Sequence, residues 1–178
     1  MRVFGLWPCF VFFMFCLPAF ADASLNSELR EHARTGNIAG LAELVALGAD
    51  VNSQAEFGET ALYYAILFSR SRAAIWLLNH GAKPDTADDS GKTPLLRAAE
   101  HCLDDAVKAL LEKSVNVNHV DENGQSALIL ATRSGCVRTV ALLLAKTHVK
   151  LNVPDYSNRS ASDYATNPLI EMMLTQAR

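Results

Sequence analysis

A five-residue fragment recurs in this chain at a spacing of 33 residues. Gly58-Glu59-Thr60-Ala61-Leu62 returns as Gly91-Lys92-Thr93-Pro94-Leu95 and again as Gly124-Gln125-Ser126-Ala127-Leu128. An Ala stands three residues after each Leu, at Ala65, Ala98 and Ala131, and a paired apolar step follows at Leu77-Leu78, Leu110-Leu111 and Leu143-Leu144. A fixed period of this length dictates a row of stacked supersecondary units rather than one globular core. It moves the working residues from a central pocket to an extended surface.

Residues 91–121 show the physics of one unit. Thr93 can cap a helix by accepting from a free N–H of the first turn. Pro94 fits the first helical position, where a missing N–H costs nothing. Leu95, Ala98 and Ala99 make a narrow apolar stripe at helical spacing, with Ala where packing is close. Glu100-His101-Cys102 reads as a corner. A second helix turns Ala106, Val107, Leu110 and Leu111 inward, and the polar stretch 116–121 leads outward to the next Gly.

The pattern resembles the ankyrin repeat. The family's T-P-L-H-x-A stands here as Thr60 to Ala65, Thr93 to Ala98 and Ser126 to Ala131, and its G-A-D-x-N ending as Gly48 to Asn52. That ending recurs loosely at 81–85 and 114–118. The resemblance implies an all-α solenoid of about five helix-turn-helix units, linked by projecting β-turns. The units fall near 25–56, 57–89, 90–121, 122–155 and 156–178. The motif His is absent: Tyr63, Leu96, Ile129 and Asp163 stand in its place, so packing is expected to replace its hydrogen bonds. Unit 4 is one residue longer, and the extra residue falls within 146–149. Leu29, Ala33, Leu41, Leu44 and Val45 close one end. At the other, Asn167 caps a short helix with Pro168 at its first position, and Leu169, Ile170, Met173 and Leu174 point inward.

Residues 1–21 read as a secretory signal peptide: Arg2, an apolar run from Val3 to Leu17, then Ala19-Phe20-Ala21 before a cut ahead of Asp22. The alternative is a retained anchor. Removing that segment takes one of 16 basic residues and none of 19 acidic ones, a net charge of −4. No basic block appears, which argues against a nucleic-acid partner. The expected product is an exported domain, bacterial and periplasmic, free of the membrane after cleavage and monomeric.

Candidate chemistry is sparse. The five His show no metal-ligand spacing, so neither a cofactor nor a metal is expected. His101 beside Cys102 is the one pair that could form a thiol or metal site, and no third ligand is placed with it. Asp85, Asp88, Asp89 and Ser90 approach a calcium loop, but Ala87 and Leu96 occupy ligand positions, and the stretch reads better as an acidic, solvated turn. Cys102 stands where the family usually has Gly, Gly135 is its counterpart, and Cys136 follows. Stacked equivalent positions lie about 10 Å apart, whereas a disulfide needs Cα atoms within about 7 Å. An oxidising compartment favours the bridge, and the residues leave both states open.

Family partners usually contact the projecting turns and the first-helix face on the concave side. The resemblance transfers that role to Glu56, Phe57, Glu59, Asp89, Ser90, Lys92, Glu122, Asn123, Gln125, Tyr156 and Arg159 on the turns. It adds Leu67, Phe68, Glu100, His101 and Arg133 at the helix ends. Phe57 and Tyr156 are expected to be exposed, while Phe68 could equally pack on a neighbour. The expected function is non-catalytic binding of another protein. The alternative is an immunity or protective protein for a toxin or enzyme in the same compartment.

Overall fold

A computed structural model describes residues 18–177. The first 17 residues of the expected leader lie outside the described residues, and the first helix runs through the expected cut. Ten α-helices form five consecutive pairs among the described residues. The pairs are α1 (Pro18–Thr35) with α2 (Ile38–Ala46), α3 (Ala61–Leu67) with α4 (Ser71–Asn79), and α5 (Pro94–Glu100) with α6 (Asp104–Leu111). They continue with α7 (Ala127–Arg133) and α8 (Val137–Leu144), then α9 (Ala161–Tyr164) and α10 (Pro168–Gln176). The odd-numbered helices stack in order as one layer and the even-numbered helices as a second. The apolar stripes meet between the layers, where Leu62, Leu77, Leu95, Leu110 and Leu143 are fully buried.

The first helices of units 2 to 5 start where a hydroxyl can hold the free N–H groups. Thr60 accepts from Tyr63 N, Thr93 from Leu96 N and Ser126 from Ile129 N, at 3.2, 3.4 and 3.3 Å. Ser160 forms a reciprocal capping box with Asp163. Such caps contribute about 1 kcal/mol each. The corners after the first helices repeat a left-handed residue, at Gly36, Ser69, Cys102 and Gly135, with φ of 80°, 58°, 54° and 73°. That conformation costs a side-chain-bearing residue roughly 1–2 kcal/mol. At Cys102 the corner is pinned by Leu103 N donating to Ala98 O at 3.0 Å.

Asparagines tie unit 1 to unit 2 and unit 3 to unit 4. Asn52 donates to Gly81 O at 3.0 Å and accepts from Lys83 N at 2.7 Å. Asn118 repeats this with His148 O and Lys150 N, at 2.7 and 2.8 Å. The second pair of partners sits one residue further along, so this ladder absorbs the extra residue of unit 4. At the C-terminal end, Ile170 and Leu174 close the core with half-buried Met173. Leu169, expected inward, is exposed. It precedes Ile170 by one helical step, about 100°, which carries it off the inward stripe.

Candidate functional site

Each of the last three projecting turns is built on one aspartate. Asp88 Oδ1 accepts from Ser90 N, the Ser90 hydroxyl and Lys92 N, at 3.0, 2.7 and 2.9 Å. Asp121 Oδ1 accepts from Asn123 N and Gln125 N, both at 2.9 Å. Asp155 Oδ1 accepts from Ser157 N and Arg159 N, at 2.9 and 3.1 Å. The Asp88 turn is therefore not simply solvated. Its carboxylate is spent on the turn's own backbone.

The second oxygens differ. Asp88 Oδ2 accepts from the Tyr63 hydroxyl at 2.5 Å and lies 3.7 Å from Arg97. Arg97 donates to the same hydroxyl, from Nε at 2.8 Å and also from Nη2. Tyr63 thus does more than pack in place of the motif His: it is a polar bridge from unit 2 to unit 3. Burial would raise the Asp88 carboxyl. The hydrogen bonds from Tyr63, Ser90 and the two backbone amides outweigh it and hold the group below its ordinary range. Burial and the bond to Asp88 push the Tyr63 hydroxyl up, against Arg97. Asp155 Oδ2 accepts from Tyr164 at 2.5 Å. Asp121 Oδ2 is buried without a partner, because Leu96 and Leu130 occupy the places that Tyr63 and Arg97 hold one unit earlier.

Several expected contact residues are engaged with one another on the first-helix face. Lys92 Nζ reaches the two Glu100 oxygens at 3.2 and 2.9 Å. Arg97 meets Glu100 at 3.1 Å, and Arg133 meets it at 3.4 Å while donating to Gln125 Oε1 at 2.9 Å. Burial would raise Glu100, but Lys92 and then Arg97 and His101 draw it below its ordinary value. This network pre-orders the face across units 3 and 4. Gln125 is only 7% exposed. It is turned into the fold, so its side chain is not the free contact expected.

The free positions are on the turn tips. Phe57 is 62% and Tyr156 78% exposed. Glu56, Asp89 and Glu122 are exposed and make no ion pair among the described residues. Neighbouring tips are linked through their backbones: Asp89 N donates to Phe57 O, Glu122 N to Ser90 O and Tyr156 N to Asn123 O, at 3.0, 3.1 and 3.1 Å. His101, Asn123 and Arg159 are also exposed, while Glu59, Leu67 and Ser90 are half-buried. Arg159 lies over the Tyr164 ring at 4.5 Å. Phe68 stacks on Tyr64 at 6.5 Å under Arg34, yet stays 39% exposed. It both packs and presents a surface.

Cys102 and Cys136 are joined by a disulfide, with Cα atoms 5.2 Å apart. That is well inside the about 10 Å at which packed helices stand. With its sulfur bonded, Cys102 has no free thiol to pair with His101. Among the described residues, no three His, Cys, Asp or Glu gather as a metal-holding group.

Sequence reasoning missed Arg97, Asp121, Asp155 and the hydroxyl of Tyr63. A signal was present for the acids: Asp88, Asp121 and Asp155 each stand three residues before Gly91, Gly124 and Asn158. Those three residues all hold a left-handed backbone.

The sequence profile described as ankyrin repeats in three copies matches residues 29–121 and 105–174. An ankyrin repeat domain-containing protein, SAT10, from Stachybotrys chartarum is 33% identical over 69% of this chain and 6% of its own length. Inversin from Gallus gallus is 34% identical over 70% of this chain and 11% of its own. A putative palmitoyltransferase, ZDHHC13, from Danio rerio is 30% identical over 85% of this chain and 24% of its own. The chain thus spans less than a quarter of the length of these relatives, and what it shares with them is the repeats. Such repeats generally mediate protein–protein interaction, and the family is generally non-catalytic. With the capped first helices, the left-handed corners and the turn-to-turn ladder, the profile match shows that this chain belongs to the ankyrin-repeat family.

Proposed function

We propose that this chain is an exported, non-catalytic binding protein of the bacterial periplasm, whose partner docks on the projecting turns and the first-helix face. The observation that carries the reading is the pair of exposed aromatic side chains, Phe57 and Tyr156, standing on turn tips beside unpaired acids. Aromatic anchors in a polar surround are the usual hot spots of an interface. Glu56, Asp89 and Glu122 favour a partner with a basic rim around an apolar patch. Export rests on Arg2, the apolar run after it and Ala19-Phe20-Ala21. Among the described residues no helix is long and apolar enough to cross a membrane.

The test is capture of a partner on the immobilised mature protein from a periplasmic extract, with a Phe57→Ala/Tyr156→Ala variant beside it. The double variant should lose the captured protein while keeping the circular-dichroism spectrum and melting midpoint, because neither ring belongs to the core. Equal capture by both proteins would refute the turn-tip reading. Inhibition of the captured protein's own activity would make this chain an immunity protein, and no inhibition a scaffold. N-terminal sequencing of the exported protein checks the cut, and Met1 at its start would refute it.

A further inference from the structure

One covalent bond of the molecule joins two repeat units at an exposed corner. The Cys102–Cys136 disulfide ties the corner between α5 and α6 to the start of α8, across units 3 and 4. Its two ends lie in unlike settings. Cys102 is exposed on the left-handed corner, whereas Cys136 is 4% exposed. Cys136 is the N-cap residue of α8, but its sulfur makes no cap hydrogen bond and lies 3.5 Å from Ala99 O. Exchange needs access for the incoming thiolate. Access is at Cys102, while the Cys136 sulfur is shielded in the core.

We propose that this bridge is a thiol–disulfide exchange site, entered at Cys102, whose co-substrate is a dithiol reductant. One thiolate of the dithiol attacks Sγ of Cys102. The S–S bond breaks, its electron pair passes to Sγ of Cys136, and that thiolate takes a proton. The second thiolate of the reductant then attacks the reductant's own sulfur in the mixed disulfide. Cys102 leaves with the electron pair and is protonated. The dithiol ends as a disulfide and the protein as two thiols, with two electrons transferred. Reduction frees the corner beside exposed His101. Units 3 and 4 remain held by packing and by bonds such as Thr139 to Asp104 at 2.7 Å.

Two measurements test this on the whole mature protein. In native buffer, dithiothreitol followed by alkylation and mass spectrometry should show both thiols without denaturant. With glutathione, a monothiol, peptide mapping after acid quench should place the adduct on Cys102. An adduct on Cys136, or reduction only where the helices have melted, would overturn the proposal. Single variants give an independent readout. Cys102 in a Cys136→Ser protein should react with Ellman's reagent at least about tenfold faster than Cys136 in a Cys102→Ser protein. Equal rates in two proteins with native circular dichroism would also overturn it.

Discussion

Replacing Tyr63 by Phe removes one oxygen and keeps the ring, so it isolates the bridge between units 2 and 3. That hydroxyl donates to Asp88 Oδ2 and accepts from Arg97. Both partners are charged and mostly shielded, with side chains 8% and 20% exposed. A hydrogen bond to a charged group contributes about 1.5–3 kcal/mol. Two are lost here, but Arg97 already lies 3.7 Å from Asp88, and a small shift lets them pair directly. The expected net loss is about 2 kcal/mol. With a urea slope of about 2 kcal/mol/M, the midpoint should fall by about 1 M. Tyr64→Phe is the control: its hydroxyl has no polar partner among the described residues, and the expected loss is under about 0.5 kcal/mol. The pH dependence carries a sign as well. The Asp88 carboxyl is lowered in the fold, so its contribution is present above the unfolded value of about 4 and fades as pH falls through the folded one. The Tyr63 hydroxyl is raised, so its contribution is present below about pH 10 and fades above it. The gap between wild type and Tyr63→Phe should therefore narrow at both extremes. Equal midpoints for the Tyr63 and Tyr64 variants at neutral pH would refute the bridge.

Leu110→Ala should lower stability by about 2–5 kcal/mol, since it opens a cavity between repeats. Thr93→Ala should lower it by about 1 kcal/mol through the lost cap, and equally mild midpoints would contradict the inward place of Leu110. Gly124→Ala combines a left-handed backbone, φ 73°, with a Cβ that would lie 2.8 Å from the Tyr156 ring. It should lower the melting midpoint and displace that ring, read as a change in tyrosine near-ultraviolet circular dichroism. An unchanged spectrum would show that Gly124 does not seat Tyr156.

Features that depend on one residue and its neighbours were legible in the sequence. Thr60, Thr93 and Ser126 cap the helices that their spacing predicts, and Pro94 and Pro168 sit at first helical positions. The extra residue of unit 4 was legible too, because it shifts a period. What was hidden depends on side chains meeting across units. Tyr63 and Arg97 are 34 residues apart and their contact leaves no local mark. Gln125 aligns with Lys92, and its partner Arg133 aligns with the partner of Lys92, Glu100, so the pairing repeats; its burial leaves no mark in the sequence. The disulfide turned on whether an offset of one residue brings two corners within reach, which is a matter of distance and not of pattern.

The stack is therefore regular in backbone and irregular in what joins its units. Between units 2 and 3 the turn aspartate Asp88 is bridged by Tyr63 and Arg97. Between units 3 and 4 the same bridge is missing: Leu96 and Leu130 replace its donors, and Asp121 Oδ2 is buried without a partner. The turns of units 3 and 4 are joined instead through their backbones, Glu122 N donating to Ser90 O at 3.1 Å. This interface also carries the disulfide, at its opposite, corner edge. A covalent tie over a separation of 34 residues contributes about 3–4 kcal/mol in the chain-entropy account, enough to offset the missing bridge. Reduction of that bond would thus act at the interface that lacks the tyrosine–arginine bridge.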